Sequence, residues 1–313
     1  MLARTANGLF WMARYLERAE TSGRLTGTAH RIALTKLKDQ ELHWLSAMKS
    51  AGVDQEFLSS GSVITKQNAI DWLLRSSLNP SSALTSLTHA RNNARLVRTA
   101  ITSEVWEALN RAYLEISSAL KRKIPERDLP DILNLIGEQI RSVHGALEST
   151  MLRNEILNFI RLGIFLERGD STARILDVKY YVLLPSLGAL GSPIDNLQWE
   201  IILRSTSGIG GFRMSYGNGA DPSQIAKFLI LDPRMPRSLI FCISKLRENL
   251  EFLSLSHQTT SLALSQVKTL EGEYKKINID HVFKRGLHEF IQDLIYQLGQ
   301  ISNQIEADFN FHT

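Results

Sequence analysis

The stretch Asn7-Gly8-Leu9-Phe10-Trp11-Met12-Ala13-Arg14-Tyr15-Leu16-Glu17-Arg18-Ala19-Glu20-Thr21-Ser22-Gly23-Arg24-Leu25 places Leu9, Met12, Ala13, Leu16 and Ala19 three and four residues apart. That is the period of one helix face, and with Asn7 as cap it predicts a helix running to about His30. The same period recurs outward from it, around Glu41 to Lys49, Gln67 to Arg75, Ala83 to Thr99, Glu104 to Arg122, beyond Pro130, and from Asn154 to Leu184. Further helices are expected near Asn196 to Ser205, Ser223 to Leu231, Arg237 to Ser256 and Thr260 to Lys275, and from His281 to Asp308 behind Asp280 as cap. The prolines at 80, 125, 130, 185, 193, 222, 233 and 236 fall between these segments, Pro185 to Pro193 reads as a surface connection, and alternating strand-like runs are nearly absent. An all-α chain follows, a single multi-helix array over residues 1–313.

The first helix has an internal match. Leu16-Glu17-Arg18-Ala19-Glu20-Thr21-Ser22-Gly23-Arg24-Leu25 lies over Leu166-Glu167-Arg168-Gly169-Asp170-Ser171-Thr172-Ala173-Arg174-Ile175, identical or chemically close at every position. A looser copy, Leu87 to Leu96, keeps the small Ala90 and the final Arg95 but has lost Glu-Arg; its Arg91 and Arg95 are counted with the candidate polar network. The repeat suggests duplicated helical units, halves of about 1–150 and 151–313 related by a pseudo-twofold.

On a helix, Glu17, Glu20 and Arg24 share one face, as do Glu167, Asp170 and Arg174. Glu20 to Arg24 and Asp170 to Arg174 have the favourable acid-first i, i+4 order, worth about 0.2 to 0.5 kcal/mol when exposed. Ala19, Gly23, Gly169 and Ala173 would let the two motif helices pack closely and bring the charges inside. Arg18, Arg24, Arg168 and Arg174 are then expected to find carboxylate partners within the fold, since a guanidinium fork suits a buried pair. A dimetal carboxylate site would need Glu-x-x-His on two further helices. Neither motif helix has one, and no metal or cofactor is expected.

Composition excludes several function classes. With 36 basic and 32 acidic residues among 313, the net charge is only +4 and no basic run stands out, so a nucleic-acid footprint is not indicated. The one cysteine, Cys242, rules out an internal disulfide and reads as a small buried thiol. The glycine-rich run Gly208 to Gly219 follows no strand, which argues against a dinucleotide or P-loop cradle. The histidines form no His-x-x-x-His pair, and the tryptophans, one per helix, read as core anchors. No long apolar run suggests a membrane span or leader, and a cytoplasmic protein is expected.

The opening Leu2-Ala3-Arg4-Thr5-Ala6-Asn7, then Leu9-Phe10-Trp11 and Arg14-Tyr15-Leu16-Glu17-Arg18-Ala19-Glu20, closely resembles the bacterial alpha-E family. Ala90 to Arg95, Glu104 to Asn110, Phe165-Leu166-Glu167-Arg168, Leu176 to Tyr181 and Pro236-Arg237-Ser238 resemble its later blocks in order, so the likeness runs nearly end to end. Asn92 stands where the family usually has Glu. Ile164 and Phe165 stand where the second block often has Arg-Tyr, which leaves Arg14 without a counterpart. The resemblance implies a helical domain encoded beside, or fused to, circularly permuted ATP-grasp amide ligases, often with transglutaminase-like and proteasome-related peptidases. It therefore implies a place in making or processing a peptide or amide conjugate.

Three functions follow as expectations. The leading one is a helical partner of an ATP-grasp amide ligase, and of a transglutaminase-like peptidase, holding the enzyme or an acidic peptide against the Glu-Arg helices. The second is an enzyme of amide formation or cleavage with Glu17 or Glu167 as general base. The third is a structural scaffold. A surplus of guanidinium at Arg14, Arg18 and Arg24 would create a concave anion site in the N-terminal copy, whereas a brace would be charge-balanced in both.

Overall fold

The computed structural model describes residues 1–34, 40–182, 193–217, 219, 221–257 and 261–311. The first half holds α1 (Ala3–Ala33), α2 (Gln40–Ala51), α3 (Asp54–Ser59), α4 (Lys66–Leu74), α5 (Ala83–Leu96), α6 (Ser103–Ala119) and α7 (Leu129–Thr150), with a 3-10 turn at Glu126–Asp128. The second holds α8 (Glu155–Val182), α9 (Pro193–Ser205), α10 (Ile209–Tyr216), α11 (Pro222–Leu231), α12 (Leu239–His257), α13 (Leu262–Tyr274), α14 (Ile279–Arg285) and α15 (Leu287–Asp308). Among the described residues there is no strand, and no helix is long and apolar enough to cross a membrane.

Local chemistry sets most helix starts. Thr65, Ser82, Thr102, Asp221 and Ser261 each accept a backbone N–H from the first turn of the helix they precede, supplying partners that a helix start lacks. Pro130 and Pro222 lie in the first turns of α7 and α11, where a missing N–H costs nothing. Pro130 therefore opens a helix and does not break the chain before one.

The long helices α1 and α8 form the centre. Apolar and small residues ring α1 on nearly every side, the composition of a helix enclosed by others. It packs along α8, α5 and α7, while α8 is flanked by α12 and α15, and α2 touches both central helices. One contiguous apolar core runs through the array, from Leu9, Phe10 and Leu16 to Leu298 and Ile305. At Gly163 a Cβ would lie 2.3 Å from the Phe10 carbonyl oxygen, so α8 needs glycine to sit this close to α1. Phe10 and Gly163, Arg14 and Glu167, and Glu17 and Arg168 meet in that order, so the two helices run in the same sense.

Several boundaries differ from the sequence expectations. Helix α1 starts four residues before Asn7, which lies inside it and donates from its amide to the Phe311 carbonyl. The expected last helix is two helices, because Gly286 at φ 112° interrupts a continuing apolar period, and the cap is Asn278 in place of Asp280. The glycine-rich run contains α10, closed by Gly217 at φ 79°. The small residues of the motif do not pack on each other: Gly23 receives Ile136 of α7, and Gly169 receives Cys242 of α12. The expected connection from Pro185 to Pro193 lies almost wholly outside the described residues.

Candidate functional site

Where α1 and α8 meet, the two Glu-Arg pairs exchange partners. Arg18 donates from Nε to Glu167 Oε1 at 2.6 Å and from Nη2 to Oε2 at 3.1 Å. Reciprocally, Arg168 donates to Glu17 Oε1 from Nη2 at 2.5 Å and from Nε at 3.2 Å. Within each helix the i, i+4 pairs also close, Arg24 Nη2 on Glu20 Oε1 at 2.7 Å and Arg174 Nε on Asp170 Oδ2 at 2.6 Å. All four motif arginines thus have carboxylate partners inside the fold.

Helix ends and loops complete the arrangement through matched positions. Arg24 Nη1 donates to the Ser205 carbonyl and Arg174 Nη1 to that of Ser50. Ser22 donates its hydroxyl to the Ser81 carbonyl, and Thr172 donates its own to that of Arg237. The next step differs between the two clusters. Arg237 turns inward, Nη2 donating to Glu20 Oε2 at 2.7 Å with Nη1 3.6 Å from Glu17 Oε2, whereas Ser81 has no long side chain to do this. Around Glu167 the third guanidinium is instead Arg14, which donates from Nε to Oε2 at 2.9 Å and from Nη1 to Ser302 Oγ at 2.5 Å, and stacks 4.4 Å over Trp11.

Each cluster consequently has three guanidiniums to two carboxylates, and the surplus expected of the N-terminal copy alone occurs in both. Burial pushes the Glu17 carboxyl up, but Arg168 and Arg237 outweigh it and hold the group well below the ordinary range. Burial is likewise overcome at Glu20 by Arg237 and Arg24, and at Glu167 by Arg18 and Arg14, bringing both carboxyls down to about 2. Burial and repulsion from Arg237 lower Arg24, while Arg18 and Arg168 are raised because their carboxylates outweigh burial.

The clusters differ in access. Glu17 is fully enclosed. Around Glu167, a cleft of about 420 Å³ opens between α1, α8 and α15, with Arg14, Arg18, Arg174, Glu167 and Asp170 in its wall, Ser22 and Ser81 at one side and Leu298 below. Among the described residues, none of the internal hydrogen bonds uses Arg14 Nη2, Arg18 Nη1 or Arg174 Nη2. The cleft can therefore offer guanidinium N–H groups to an incoming anion above an apolar floor.

Arg91 and Arg95 are not brought to this site. Arg91 donates to Asn110 Oδ1 at 2.8 Å and lies 4.7 Å over the Tyr113 ring, while Arg95 is exposed. The looser third copy therefore contributes no charge to either cluster. Sequence reasoning missed Arg237, Ser302 and His144. Of these, only Arg237 lay within a quoted motif, Pro236-Arg237-Ser238, without a role assigned.

Glu17, Glu20 and His144 each bring one ligand atom within 4.8 Å of the others, the one such trio among the described residues. His144 Nε2 lies 3.1 Å from Glu17 Oε1 but off the hydrogen-bond direction. The same carboxylates already face Arg168, Arg237 and Arg24, so a dication would have to enter against three fixed positive charges. The donor set does not fit a metal. Cys242 is buried, and its thiol is pushed up to about 12 by that burial, which makes it unreactive.

A family model described as a predicted alpha-helical domain with a conserved ER motif matches residues 1–309. No curated protein and no solved structure matches the chain.

Proposed function

The chain belongs to the alpha-E family, and from that premise we propose that it is a helical accessory protein of an ATP-grasp amide ligase, binding an acidic peptide in the cleft at Arg14, Arg18 and Arg174. The observation that carries this reading is the inequality of two otherwise matched clusters. One is filled by Arg237, and the other is left open where Ser81 takes the corresponding place. A surplus guanidinium in an open, partly apolar cleft suits a carboxylate side chain on a peptide, because forked N–H groups match carboxylate geometry.

The matched bonds also support duplication of a helical unit about a pseudo-twofold. Asn79-Pro80-Ser81-Ser82 before α5 and Met235-Pro236-Arg237-Ser238 before α12 present their carbonyls to Ser22 and Thr172 in the same way. On this reading the enclosed cluster braces the two halves, and the open cluster has been freed to bind.

A general base at Glu17 or Glu167 is disfavoured by the same geometry. A carboxylate enclosed by guanidiniums, with Glu17 held well below the ordinary range and Glu167 brought down to about 2, is a weak proton acceptor at neutral pH.

The test is a titration of the purified chain with hexaglutamate, alongside co-purification from native cells. Binding of hexaglutamate but not hexalysine, lost in Arg18→Ala with the fold intact, together with recovery of an ATP-grasp ligase, is the expected result. Absence of both peptide binding and ligase would overturn the proposal.

A further inference from the structure

A second basic cleft lies roughly 120° around α1 from the first, at the 100° per residue of an α-helix. It occupies about 150 Å³ between α1, α7 and the end of α9, and Arg24, Arg31, Arg141 and Arg204 all line it. Its one carboxylate, Glu20, is already held by Arg24 and Arg237. Arg204 pairs at the surface with Glu200 at 3.2 Å. Arg31 and Arg141 have no carboxylate partner among the described residues, and Arg24 Nε is buried without a hydrogen bond. Positive charge has thus been gathered here without the acids to neutralise it.

The surroundings are built to keep that charge in place. Ser207 holds a left-handed backbone, φ 57°, uncommon for a residue with a side chain, and its hydroxyl accepts from Arg24 Nη1 at 3.1 Å. Gly137 leaves the space that Arg141 Nη1 occupies, 2.9 Å from where a Cβ would stand. The guanidiniums also oppose one another: burial and then Arg237 lower Arg24, and burial and then Arg204 lower Arg31. An anion entering the cleft would relieve both repulsions.

We infer that this cleft is a binding site for a phosphate group, either free or carried as a monoester. The cleft, of about 150 Å³, has room for a phosphoryl group. A phosphate dianion carries more charge and more acceptor oxygens than a carboxylate, so it can neutralise more of the gathered guanidiniums at once. The site is separate from the peptide cleft, so it stands or falls independently of the function proposed above.

Calorimetric titration of the full chain with inorganic phosphate, O-phosphoserine and acetate, at matched ionic strength, tests it. Saturable phosphate or phosphoserine binding is expected, weakened about tenfold in Arg31→Ala and in Arg141→Ala, the scale of one lost charged hydrogen bond, and unchanged in Arg95→Ala, an exposed arginine outside both clefts. Tighter phosphoserine binding identifies an ester as the source, and tighter phosphate binding the free ion. Acetate binding equal to phosphate, no binding at all, or affinity unaffected by Arg31→Ala and Arg141→Ala would overturn the inference. Because both arginines are exposed at the surface, their loss leaves the fold in place for the measurement.

Discussion

Arg168 reaches from α8 to Glu17 on α1 with both Nη2 and Nε directed at one carboxylate oxygen, at 2.5 and 3.2 Å. The second oxygen of Glu17 makes no hydrogen bond and faces Arg237 at 3.6 Å. Its environment is therefore electrostatic, with little geometric redundancy. Glu17→Gln keeps the shape but leaves Arg168 and Arg237 facing a neutral amide in a closed interior. The expected loss is about 3 to 5 kcal/mol, a fall of roughly 5 to 10 °C in Tm. Calorimetric melting measures it, and an unchanged Tm would show that the pair does not hold the helices together.

Acid sensitivity should follow from Glu20 and Glu167. Both carboxyls are lowered to about 2 in the folded protein, whereas unfolded Glu titrates near 4.3. The unfolded chain binds protons first, so their contribution is complete above about pH 5 and is lost as pH falls from there toward 2. Linkage puts the loss on the order of 3 kcal/mol per carboxylate. Urea unfolding at pH 7, 5, 4 and 3 should show a declining midpoint, with a shallower decline in Glu20→Gln. A midpoint independent of pH between 5 and 3 would contradict the assignment.

Close approach of the central helices gives a contrast between two glycines. A Cβ at Gly163 would meet the Phe10 backbone at 2.3 Å, while Gly145 in α7 has open space around it. Gly163→Ala should cost about 1 to 3 kcal/mol or more through overpacking, and Gly145→Ala should stabilise by roughly 0.5 to 1 kcal/mol through helix propensity. Equal effects in thermal melts would mean that α1 and α8 are not in this contact.

The sequence carried the helices and half of the pairing. Spacing located α4, α9 and α11 within a few residues because each begins at a polar cap or proline. Pairs inside one helix, Glu20 with Arg24 and Asp170 with Arg174, were readable because four residues on a helix fix the geometry. The exchange between Glu17 and Arg168 and between Glu167 and Arg18 was not, since residue spacing does not say which side of α1 meets α8. The Gly286 break was hidden because apolar positions continue through it, and Arg237 because it stands alone in a loop.

Addition of metal should leave the protein unchanged. Three guanidiniums already face the Glu17 and Glu20 carboxylates, so neither Mg²⁺ nor Zn²⁺ gains free ligands there. Thermal melts with EDTA and with each ion at matched ionic strength should agree within a degree or two. A rise in Tm that Glu20→Gln abolishes would instead make Glu17, Glu20 and His144 a metal site.

Arg237 separates electrostatic support from simple packing. It comes first among the charges that lower Glu20, and it also holds Arg24 down by repulsion. Arg237→Ala therefore removes the cation that spans Glu17 and Glu20 and leaves those two carboxylates repelling each other on one face of α1. The folded pKa of Glu20 should then move up toward its unfolded value, so this variant should be less stable at pH 7 and lose less of its stability on acidification than the parent chain. Arg237→Lys, which retains the charge but not the fork, should fall between the two. The measurement is the urea midpoint at pH 7, 5, 4 and 3. If Arg237→Ala instead lowers the midpoint by the same amount at every pH, Arg237 acts by filling space, and the enclosed cluster is not the charge-coupled brace that its geometry describes.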